Sequence, residues 1–418
     1  MWVSAPMMVD SPGGNLRKPA TNISRSTTPT SRLRTSDFFG ITRGGAAALF
    51  FMRNILIPSL ASDIHAIAIQ SALEQRGHRV VRWIGDDFPS SQVATLALSN
   101  LDALHGSIRT QDAEFDVGDI DLVWLRRPRW PVAPKYLDQY DQKLTDEELH
   151  HWYRSIWESC WSDANWVNSM HGRRRANNKI LQLKMARKSG LSVPRTLISN
   201  DPRQIRDFIS SINAVVKPFQ TQNWIEGSTN VSTLTARIHK EQLPDNQFIQ
   251  ACPAIYQECI DKVFEVRAFF CGKAALAISI DSQKQLESTT DWRAAKPQLL
   301  GIKPITVPAA VEHACFTLMD ELGIVTGSFD FAVTPSGEWV FFEVNEQGQF
   351  MWMEQCAPEV TVTDMFVNFL EARSHRDFKY HAASPEIRLR ELLNSPRTKE
   401  IVSIDASRER NEHATATL

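Results

Sequence analysis

The part of the chain that decides its fold reads Ser328-Phe329-Asp330-Phe331-Ala332 and then, beyond the turn Pro335-Ser336-Gly337, Trp339-Val340-Phe341-Phe342-Glu343-Val344-Asn345. Two apolar runs joined by a Pro-Ser-Gly turn indicate an antiparallel β-hairpin. Residues two apart on a strand share a face, so Glu343 and Asn345 point the same way. Asp330, on the partner strand, can join them on that face.

These three polar residues are unusual because each lies inside an otherwise apolar run, where an unpaired carboxylate is costly. Two carboxylates and an amide oxygen are hard ligands that suit Mg²⁺, especially when nucleotide phosphates bridge the same ion. The competing interpretation is a surface strand with alternating polar residues. The flanking phenylalanines weigh against it: Phe329, Phe331, Phe341 and Phe342.

The second half of the chain otherwise alternates strands with a few helices, which predicts a mixed, largely antiparallel sheet. Its predicted strands are 214–217, 254–258, 264–270, 274–280, 327–333 and 338–344, and its predicted helices are 308–322 and 360–371. From residue 384 the chain becomes polar and charged, which predicts a loose tail.

The first half begins differently, with a strand–helix–strand unit at 54–60, 63–75 and 79–84, which implies a parallel sheet. A further buried strand is predicted at 121–125, followed by helices at 145–162 and 177–189. Thr145 and Glu148 have the spacing of a capping box and place the first turn of the former helix there. The fold class is therefore α/β (α+β), with a parallel N-terminal domain and an antiparallel C-terminal one.

Residues 1–51 are a different kind of chain, with a net charge of +4 against −6 for the remainder. Their Ser-, Thr-, Pro- and Gly-rich composition cannot bury enough apolar surface to offset the entropy of ordering, so we expect disorder. Two alternatives stay open: translation that starts at Met52, and a targeting peptide. The domain boundaries predicted from these changes are 1–51, 52–165, 166–258, 259–383 and 384–418.

Composition excludes several classes of function. A chain of 418 residues holds two to three domains, and its net charge of −2 favours neither nucleic acid nor an anionic membrane as a partner. No apolar run approaches the ~18–20 residues of a membrane span. The six cysteines form no CxxC pair, which predicts a cytoplasmic protein without zinc or disulfides. P-loop, dinucleotide-binding and HExxH motifs are absent from the sequence.

Several cations remain as candidates for holding phosphate. Lys217 ends an apolar strand and Lys179 begins a helix; each could neutralise phosphate or be an ordinary surface lysine. Arg267 lies among apolar residues, where an arginine usually has a carboxylate or a phosphate as its partner. Between them, the segment Gln257-Glu258-Cys259-Ile260 has the character of a linker whose backbone could pair with an adenine edge.

The order of these residues resembles the ATP-grasp superfamily of carboxylate–amine ligases, over about residues 167–370. Within it, the chain most resembles the graspetide synthetases, the microviridin-type ligases that macrocyclise ribosomal peptides. The motifs that carry the resemblance are Trp124-Leu125-Arg126-Arg127, Asn178-Lys179-Ile180-Leu181-Gln182-Leu183, Glu265-Val266-Arg267, Asp291-Trp292-Arg293 and Glu343-Val344-Asn345-Glu346-Gln347-Gly348-Gln349-Phe350. The last motif is the most specific. Ribosomal-protein-type glutamate ligases continue Glu-Val-Asn into a Ser-Pro-Gly turn, whereas the peptide macrocyclases continue to Gly-Gln, as this chain does.

The resemblance implies an ATP-grasp fold, with 52–165 as the domain that precedes it and 166–258 and 259–383 as its two halves. It implies ATP on Lys179, Lys217 and Glu265, with Gln257, Glu258, Cys259 and Ile260 against the adenine. It also implies two Mg²⁺ on Asp330, Glu343 and Asn345, and Arg267 and Arg293 on the transferred phosphoryl group. The chain departs from many relatives in its phosphate loop, 220–229, which has one glycine, Gly227.

The activity implied is the closure of ω-ester or ω-amide rings in a ribosomal precursor peptide, through an acyl phosphate of an Asp or Glu side chain. A homodimer is implied as well, together with a separate leader segment in the precursor. The basic, aromatic stretch 126–130 is a candidate leader contact or, equally, a structural strand end. The alternatives are a ligase that adds an amino acid to a peptide, protein or metabolite, and an inactive scaffold that only binds peptide.

Overall fold

The computed structural model describes residues 52–162, 165–220, 223–226, 229–372, 375–381 and 384–415. The N-terminal segment 1–51, for which the sequence predicts disorder or a later start, lies outside this part. Within the described ranges, no helix combines the length and apolarity that crossing a bilayer requires.

A three-stranded parallel sheet begins the described chain and confirms the predicted strand–helix–strand unit. Strand β1 lies in the middle of this sheet, because its alternate side chains enter two different cores. Ile55 and Ile57 pack into one core, and Leu56 packs into the other. Asp63 accepts a hydrogen bond from the Ala66 N–H and so begins the connecting helix. The sheet has the order β2-β1-β6, and these elements are β1 (Asn54–Ser59), α1 (Ile64–Gln75), β2 (Arg79–Ile84) and β6 (Leu122–Val123).

A small antiparallel sheet and three helices complete the first half. Helix α2 begins at Gln139, earlier than predicted, because Asp138 rather than Thr145 caps it by accepting from the N–H groups of Tyr140 and Asp141. The elements are β3 (Val93–Ala97), β4 (His105–Arg109), β5 (Glu114–Asp116), α2 (Gln139–Ser159), α3 (Met170–Ala176) and α4 (Lys179–Lys188).

The second half contains two main antiparallel sheets where the sequence predicts one. The strand 254–258 pairs on both of its sides with other strands of the central sheet, so the strand that follows it starts a new sheet. The central sheet has the order β11-β8-β12-β7 beside a separate hairpin of β9 and β10. Its elements are β7 (Thr196–Ser199), α5 (Pro202–Ser211), β8 (Ala214–Lys217), β9 (Asn223–Glu226), β10 (Thr229–Ser232), β11 (Ala236–Ile238), α6 (Asn246–Ala251) and β12 (Ala254–Glu258).

The C-terminal sheet has five strands in the order β15-β14-β13-β16-β17. Its last two strands are the hairpin predicted from the sequence, and Gly337 takes the left-handed conformation that their turn requires, with φ of 83°. The elements are β13 (Phe264–Cys271), β14 (Ala274–Ile280), β15 (Ile302–Ile305), α7 (Ala309–Leu322), β16 (Thr326–Val333) and β17 (Trp339–Asn345).

Four further helices follow, and the last two replace the loose tail predicted from residue 384. Leu389 and Leu392 are buried in the same core as α1. Asp405 forms a buried ion pair with Arg82, at 2.6 Å between Nη2 and Oδ2, so the tail is fixed by polar as well as apolar contacts. The elements are α8 (Met351–Cys356), α9 (Val362–Glu371), α10 (Leu389–Asn394) and α11 (Pro396–Thr415).

Candidate active site

Strands β16 and β17 place the three predicted metal ligands on one face of the C-terminal sheet. Asp330 lies directly opposite Glu343, and Ser328 lies opposite Asn345. The register shifts by one residue just after Asp330, which leaves Phe342 as the extra residue of a β-bulge. The two strands therefore present two carboxylates and an amide side by side.

The bulge also explains the pattern of phenylalanines. Phe341 and Val344 both lie in the core beneath the sheet, although they are three positions apart. In a regular strand they would face opposite sides. The extra residue of the bulge allows both side chains to face the same core. It also leaves the Phe342 ring at the site, where the Lys217 ammonium lies 4.6 Å from the ring centroid.

Each of the two carboxylates is held by its own cation. The Lys179 ammonium lies 2.5 Å from Glu343 Oε2, and the Asn345 amide donates to Glu343 Oε1 at 3.1 Å. Arg267 Nη1 donates to Asp330 Oδ2 at 2.6 Å. Burial acts to raise the pKa of Glu343, but the Lys179 ammonium outweighs it and holds that pKa well below its usual range. Burial raises the pKa of Asp330 despite Arg267.

Two atoms of the Arg267–Asp330 pair are buried and have no hydrogen-bond partner among the described residues. They are Arg267 Nε, a donor, and Asp330 Oδ1, an acceptor. A buried polar atom without a partner is costly unless a ligand completes it. A free donor beside a free acceptor fits an anion and a cation held together, as in a nucleotide phosphate with its metal ion.

All twelve predicted site residues line two adjoining cavities. Three of them line only the larger cavity, and three line both. The smaller cavity is lined by Lys217, Gln257, Glu258, Cys259, Ile260, Glu265, Arg293, Asp330 and Glu343. The larger cavity is lined by Lys179, Lys217, Arg267, Arg293, Glu343 and Asn345. The structure thus brings together residues that the sequence separates by more than 160 positions.

Lys217 is held by a neighbour that the sequence associated with adenine. Its ammonium donates to Gln257 Oε1 at 2.6 Å, and the Gln257 amide donates in turn to Thr196 Oγ1 at 3.0 Å. Burial lowers the pKa of Lys217 to about 8, in spite of nearby Glu343. The Gln257 side chain therefore orients the lysine, while the strand that carries it forms the cavity wall.

The predicted adenine-binding segment borders the smaller cavity as expected, but part of its backbone is already paired. The Glu258 N–H donates to the Arg195 carbonyl at 2.9 Å, and the Cys259 N–H donates to the Asn213 carbonyl at 2.8 Å. These bonds fix the segment against the central sheet.

Two charged residues near this segment, Asp291 and Lys262, have no role of their own in the sequence-based predictions. Asp291 holds the Arg293 guanidinium through two bonds of 2.8 Å, from Nε and Nη2. Lys262 Nζ lies 2.9 Å from Glu265 Oε1, and burial raises the pKa of this glutamate. The spacing 262/265 alone is a weak signal, because such pairs are common on protein surfaces. Trp352, which lines the larger cavity and stacks on Trp292, was also missed.

The loop that follows β17, the strand with two of the predicted metal ligands, is anchored to the N-terminal sheet. Arg126, fully buried, donates to the Gln347 carbonyl and pairs with Asp63 at 3.3 Å. His65 Nε2 accepts the N–H groups of Phe350 and Met351, both at 3.2 Å. Burial lowers the pKa of His65 to about 3, so the ring is neutral and can accept. Arg126 therefore has the structural role left open for 126–130, and it is not a surface contact for a leader.

Among the described residues, no group of three or more His, Cys, Asp and Glu side chains is arranged to hold a metal ion by itself. The predicted set has two carboxylates and an amide, which is too few ligands unless phosphate oxygens complete the shell. The predicted phosphate loop, 220–229, is described only in part, and Gly227 lies outside the described residues.

Comparison with known proteins shows what the chain is similar to. Residues 54–174 match the family described as the MvdD pre-ATP grasp domain. A RiPP-associated ATP-grasp ligase of Chryseobacterium gregarium, solved with ADP and a leader and core peptide, superposes with a TM-score of 0.72 and 25% identity. The match covers 79% of this chain and 100% of that one. No curated protein sequence matches the chain significantly.

Two further solved structures share the fold at lower identity. The macrocyclase MdnC of Microcystis aeruginosa MRC, bound with precursor peptide MdnA, has a TM-score of 0.66 and 24% identity over 76% of this chain and 99% of that one. The ATP-grasp ligase PsnB, complexed with minimal precursor, Mg and ADP, has a TM-score of 0.58 and 20% identity over 76% and 96%. The ATP-grasp fold and the resemblance predicted from the sequence are confirmed.

Proposed function

We propose that this chain, which has the ATP-grasp ligase fold behind an MvdD-type pre-ATP-grasp domain, is an ATP-dependent ligase that closes ω-ester or ω-amide rings in a ribosomal precursor peptide. The observation that carries the proposal is the pair Asp330 and Glu343, side by side on paired strands. Lys179 and Arg267 contact these carboxylates directly, and Lys217 lines both cavities beside them. The C. gregarium ligase, whose structure holds ADP and peptide, supports the same reaction class.

The nucleotide site follows from which residues share the smaller cavity. Adenine would lie against Glu258, Cys259 and Ile260, whose backbone is fixed by the central sheet. The phosphates would extend toward Lys217 and Lys179, since both ammonium groups lie at the junction of the two cavities or beside it. Glu265 lines the same cavity and is tied to Lys262.

The metal site would consist of Asp330, Glu343 and Asn345. The unpartnered Asp330 Oδ1 and the paired register of the strands support this assignment. Two Mg²⁺ held by these residues would supply positive charge against the charge that develops during phosphoryl transfer. In the protein without nucleotide, Lys179 and Arg267 instead balance the negative charge of the two carboxylates.

The reaction proceeds in two steps. A carboxylate oxygen of a substrate Asp or Glu side chain attacks the γ-phosphorus of ATP, forming an acyl phosphate as ADP leaves. The hydroxyl oxygen of a Ser or Thr, or the amine of a Lys, then attacks the acyl carbon; phosphate leaves and the nucleophile loses its proton. The peptide has lost one water for each ring.

Arg267 and Arg293 would hold the phosphoryl group and the acyl-phosphate oxygens in both steps. Arg267 has an unpartnered Nε for this purpose, and Asp291 fixes the plane of the Arg293 guanidinium. Preorganised donors of this kind stabilise the charged transition state without reorganisation. Exclusion of water is needed because hydrolysis of the acyl phosphate would waste ATP.

The partner would be a precursor peptide with a leader and an acidic core, and the enzyme would be a homodimer; the dimer rests on the resemblance alone. With Arg126 committed to the interior, exposed Arg129 and Trp130 remain as candidate leader contacts in the stretch 126–130. Size-exclusion chromatography with light scattering tests the dimer, and a monomer at micromolar concentration would contradict it.

The experiment that tests the function is mass spectrometry of an acidic, Thr/Ser-rich peptide encoded beside this gene, incubated with the enzyme, ATP and Mg²⁺. We expect the loss of one water for each ring. An unchanged peptide would contradict the proposal. A gain equal to an amino-acid residue would establish the alternative, a ligase that adds amino acids.

A further inference from the structure

Arg127 has an unusual backbone for a residue with a side chain. Its φ is 49°, in the left-handed region, and within the described ranges it is the one non-glycine residue with positive φ. Such a conformation is strained for a residue with a Cβ and persists where the surrounding structure imposes it. The constraint here comes from neighbours: Arg126 is buried against Asp63, and the Gln347 amide donates to the Leu125 carbonyl at 3.2 Å.

Next to this left-handed backbone, two adjacent arginines have opposite environments. Arg126 points into the interior, whereas Arg127 is exposed and lines the larger cavity together with Gln347 and Gln349. Arg127 does not line the smaller cavity, which contains the adenine-binding segment. Arg127 therefore lies away from the segment predicted to bind adenine.

Unlike the other cations that line the larger cavity, Arg127 has no side-chain partner among the described residues. Five cationic residues line this cavity against two acidic ones, Glu343 and Glu346. Four of the cations are held by a neighbouring side chain: Lys179 by Glu343, Lys217 by Gln257, Arg267 by Asp330 and Arg293 by Asp291. Arg127 makes no ion pair or side-chain hydrogen bond with any residue that the structure describes. Its guanidinium is available for an external anion.

Part of the lining of the larger cavity is aromatic. Trp292 and Trp352 stack with their ring centroids 4.8 Å apart, and both line the cavity. A cavity with an aromatic wall and a free arginine fits a peptide segment that carries a carboxylate.

We propose that Arg127 binds a second carboxylate of the substrate peptide, one that is not being activated, and so selects segments whose acidic residues are closely spaced. This inference rests on the proposed function, since it takes the larger cavity as the peptide site. An arginine is suited to this task because its planar guanidinium pairs with a carboxylate through two bonds.

The test uses four synthetic probes and the full-length protein with ADP. One probe is acetyl-Glu-Glu-Glu-amide; the others keep one Glu and carry Gln at the other two positions. Saturation-transfer NMR titrations give the Kd of each. We expect the wild type to bind the triacid at least about tenfold more tightly than any monoacid, and Arg127→Gln to bind all four alike. Arg203→Gln, at an exposed position of α5 that lines neither cavity, is the matched control and should behave as the wild type.

Wild-type protein that binds the four probes equally or binds none of them, or an Arg127→Gln variant that keeps the preference, overturns the proposal. The function is tested separately by adding ATP and hydroxylamine, which converts an acyl phosphate of the triacid probe into a hydroxamate. Absence of hydroxamate with the binding preference intact counts against the ligase function and leaves the Arg127 assignment standing. Hydroxamate formation without a binding preference supports the ligase function and overturns the Arg127 assignment.

Discussion

Asp330 and Glu343 face each other across two neighbouring strands, yet their charges are balanced by cations from different elements. Arg267 on β13 pairs with Asp330, and Lys179 at the first position of α4 pairs with Glu343. Two carboxylates this close repel unless a cation lies between or beside them. We expect the Lys179–Glu343 pair to open when the metal binds, which would free the lysine for phosphate.

Glu343→Gln should abolish ring formation while the fold persists. The amide keeps the shape but removes a charge that the metal needs, and the loss of one such group costs on the order of 10²–10³ in rate. Mass spectrometry of the precursor checks this; Asn345→Ala should give the same loss. Dehydration of the peptide at the wild-type rate by Glu343→Gln would show that the metal assignment is wrong.

Lys179→Met should destabilise the nucleotide-free protein by about 1 kcal/mol near pH 7, because the half-buried pair loses its cation. Glu343 has a depressed pKa when folded, so the stability that it contributes is fully present above its ordinary pKa of 4.5. This contribution begins to fall below pH 4.5 and is lost completely only as pH falls through the depressed folded pKa. The difference in the free energy of unfolding between the Lys179→Met variant and the wild type should therefore become smaller toward pH 4. Urea unfolding at pH 7 and pH 4 measures it, and an equal loss at both would contradict the ion-pair account.

Nucleotide affinity should fall as pH rises above 8. The pKa of Lys217 is lowered from 10.5 to about 8, so the free enzyme loses this ammonium above that pH. Calorimetric titration with ADP from pH 7 to 9.5 should show weakening in the wild type and a flatter profile in Lys217→Arg, whose guanidinium stays charged. A wild-type profile as flat as that of the arginine variant would remove Lys217 from the phosphate site.

Arg267→Gln should lower the free energy of unfolding by about 3 kcal/mol at pH 7, since it leaves the buried Asp330 carboxylate without its partner. The folded pKa of Asp330 is already raised, and loss of the cation raises it further, so the penalty grows as pH rises from 4 to 7. Urea unfolding across this range checks the sign. Arg203→Gln serves as the exposed control and should change the stability by less than about 0.5 kcal/mol.

The hairpin and its three polar residues could be predicted because strand periodicity and a turn determine them locally. The bulge was missed, although the odd spacing of Phe341 and Val344 within one core implies it. The cation partners were not predictable, because Lys179 and Arg267 reach the carboxylates only through the tertiary arrangement of α4 and β13. The cations that could bind phosphate were therefore identifiable from the sequence, whereas their ion-pair partners became known only from the fold.

The errors outside the site have physical causes as well. Helix α11 has no clear apolar stripe, so its sequence has the composition of a tail; ion pairs such as Arg82 with Asp405 and Glu74 with Arg397 fix it to the N-terminal half instead. The strands that were missed are short: β3 to β5, β7, β9 to β11 and β15. Short, half-exposed strands lack the long apolar run on which a sequence-based assignment depends.

The β-bulge at Phe342 divides the hairpin into two parts that tolerate different changes. Between the bulge and Asn345, insertion or deletion of one residue would turn the ligands toward the core. The turn at Ser336 and Gly337 lies at the far end of both strands, is exposed, and has no contact with either cavity. An epitope tag or fluorophore inserted there would report on the enzyme without disturbing the ligand register. This makes the turn the natural attachment point for single-molecule or immobilisation work.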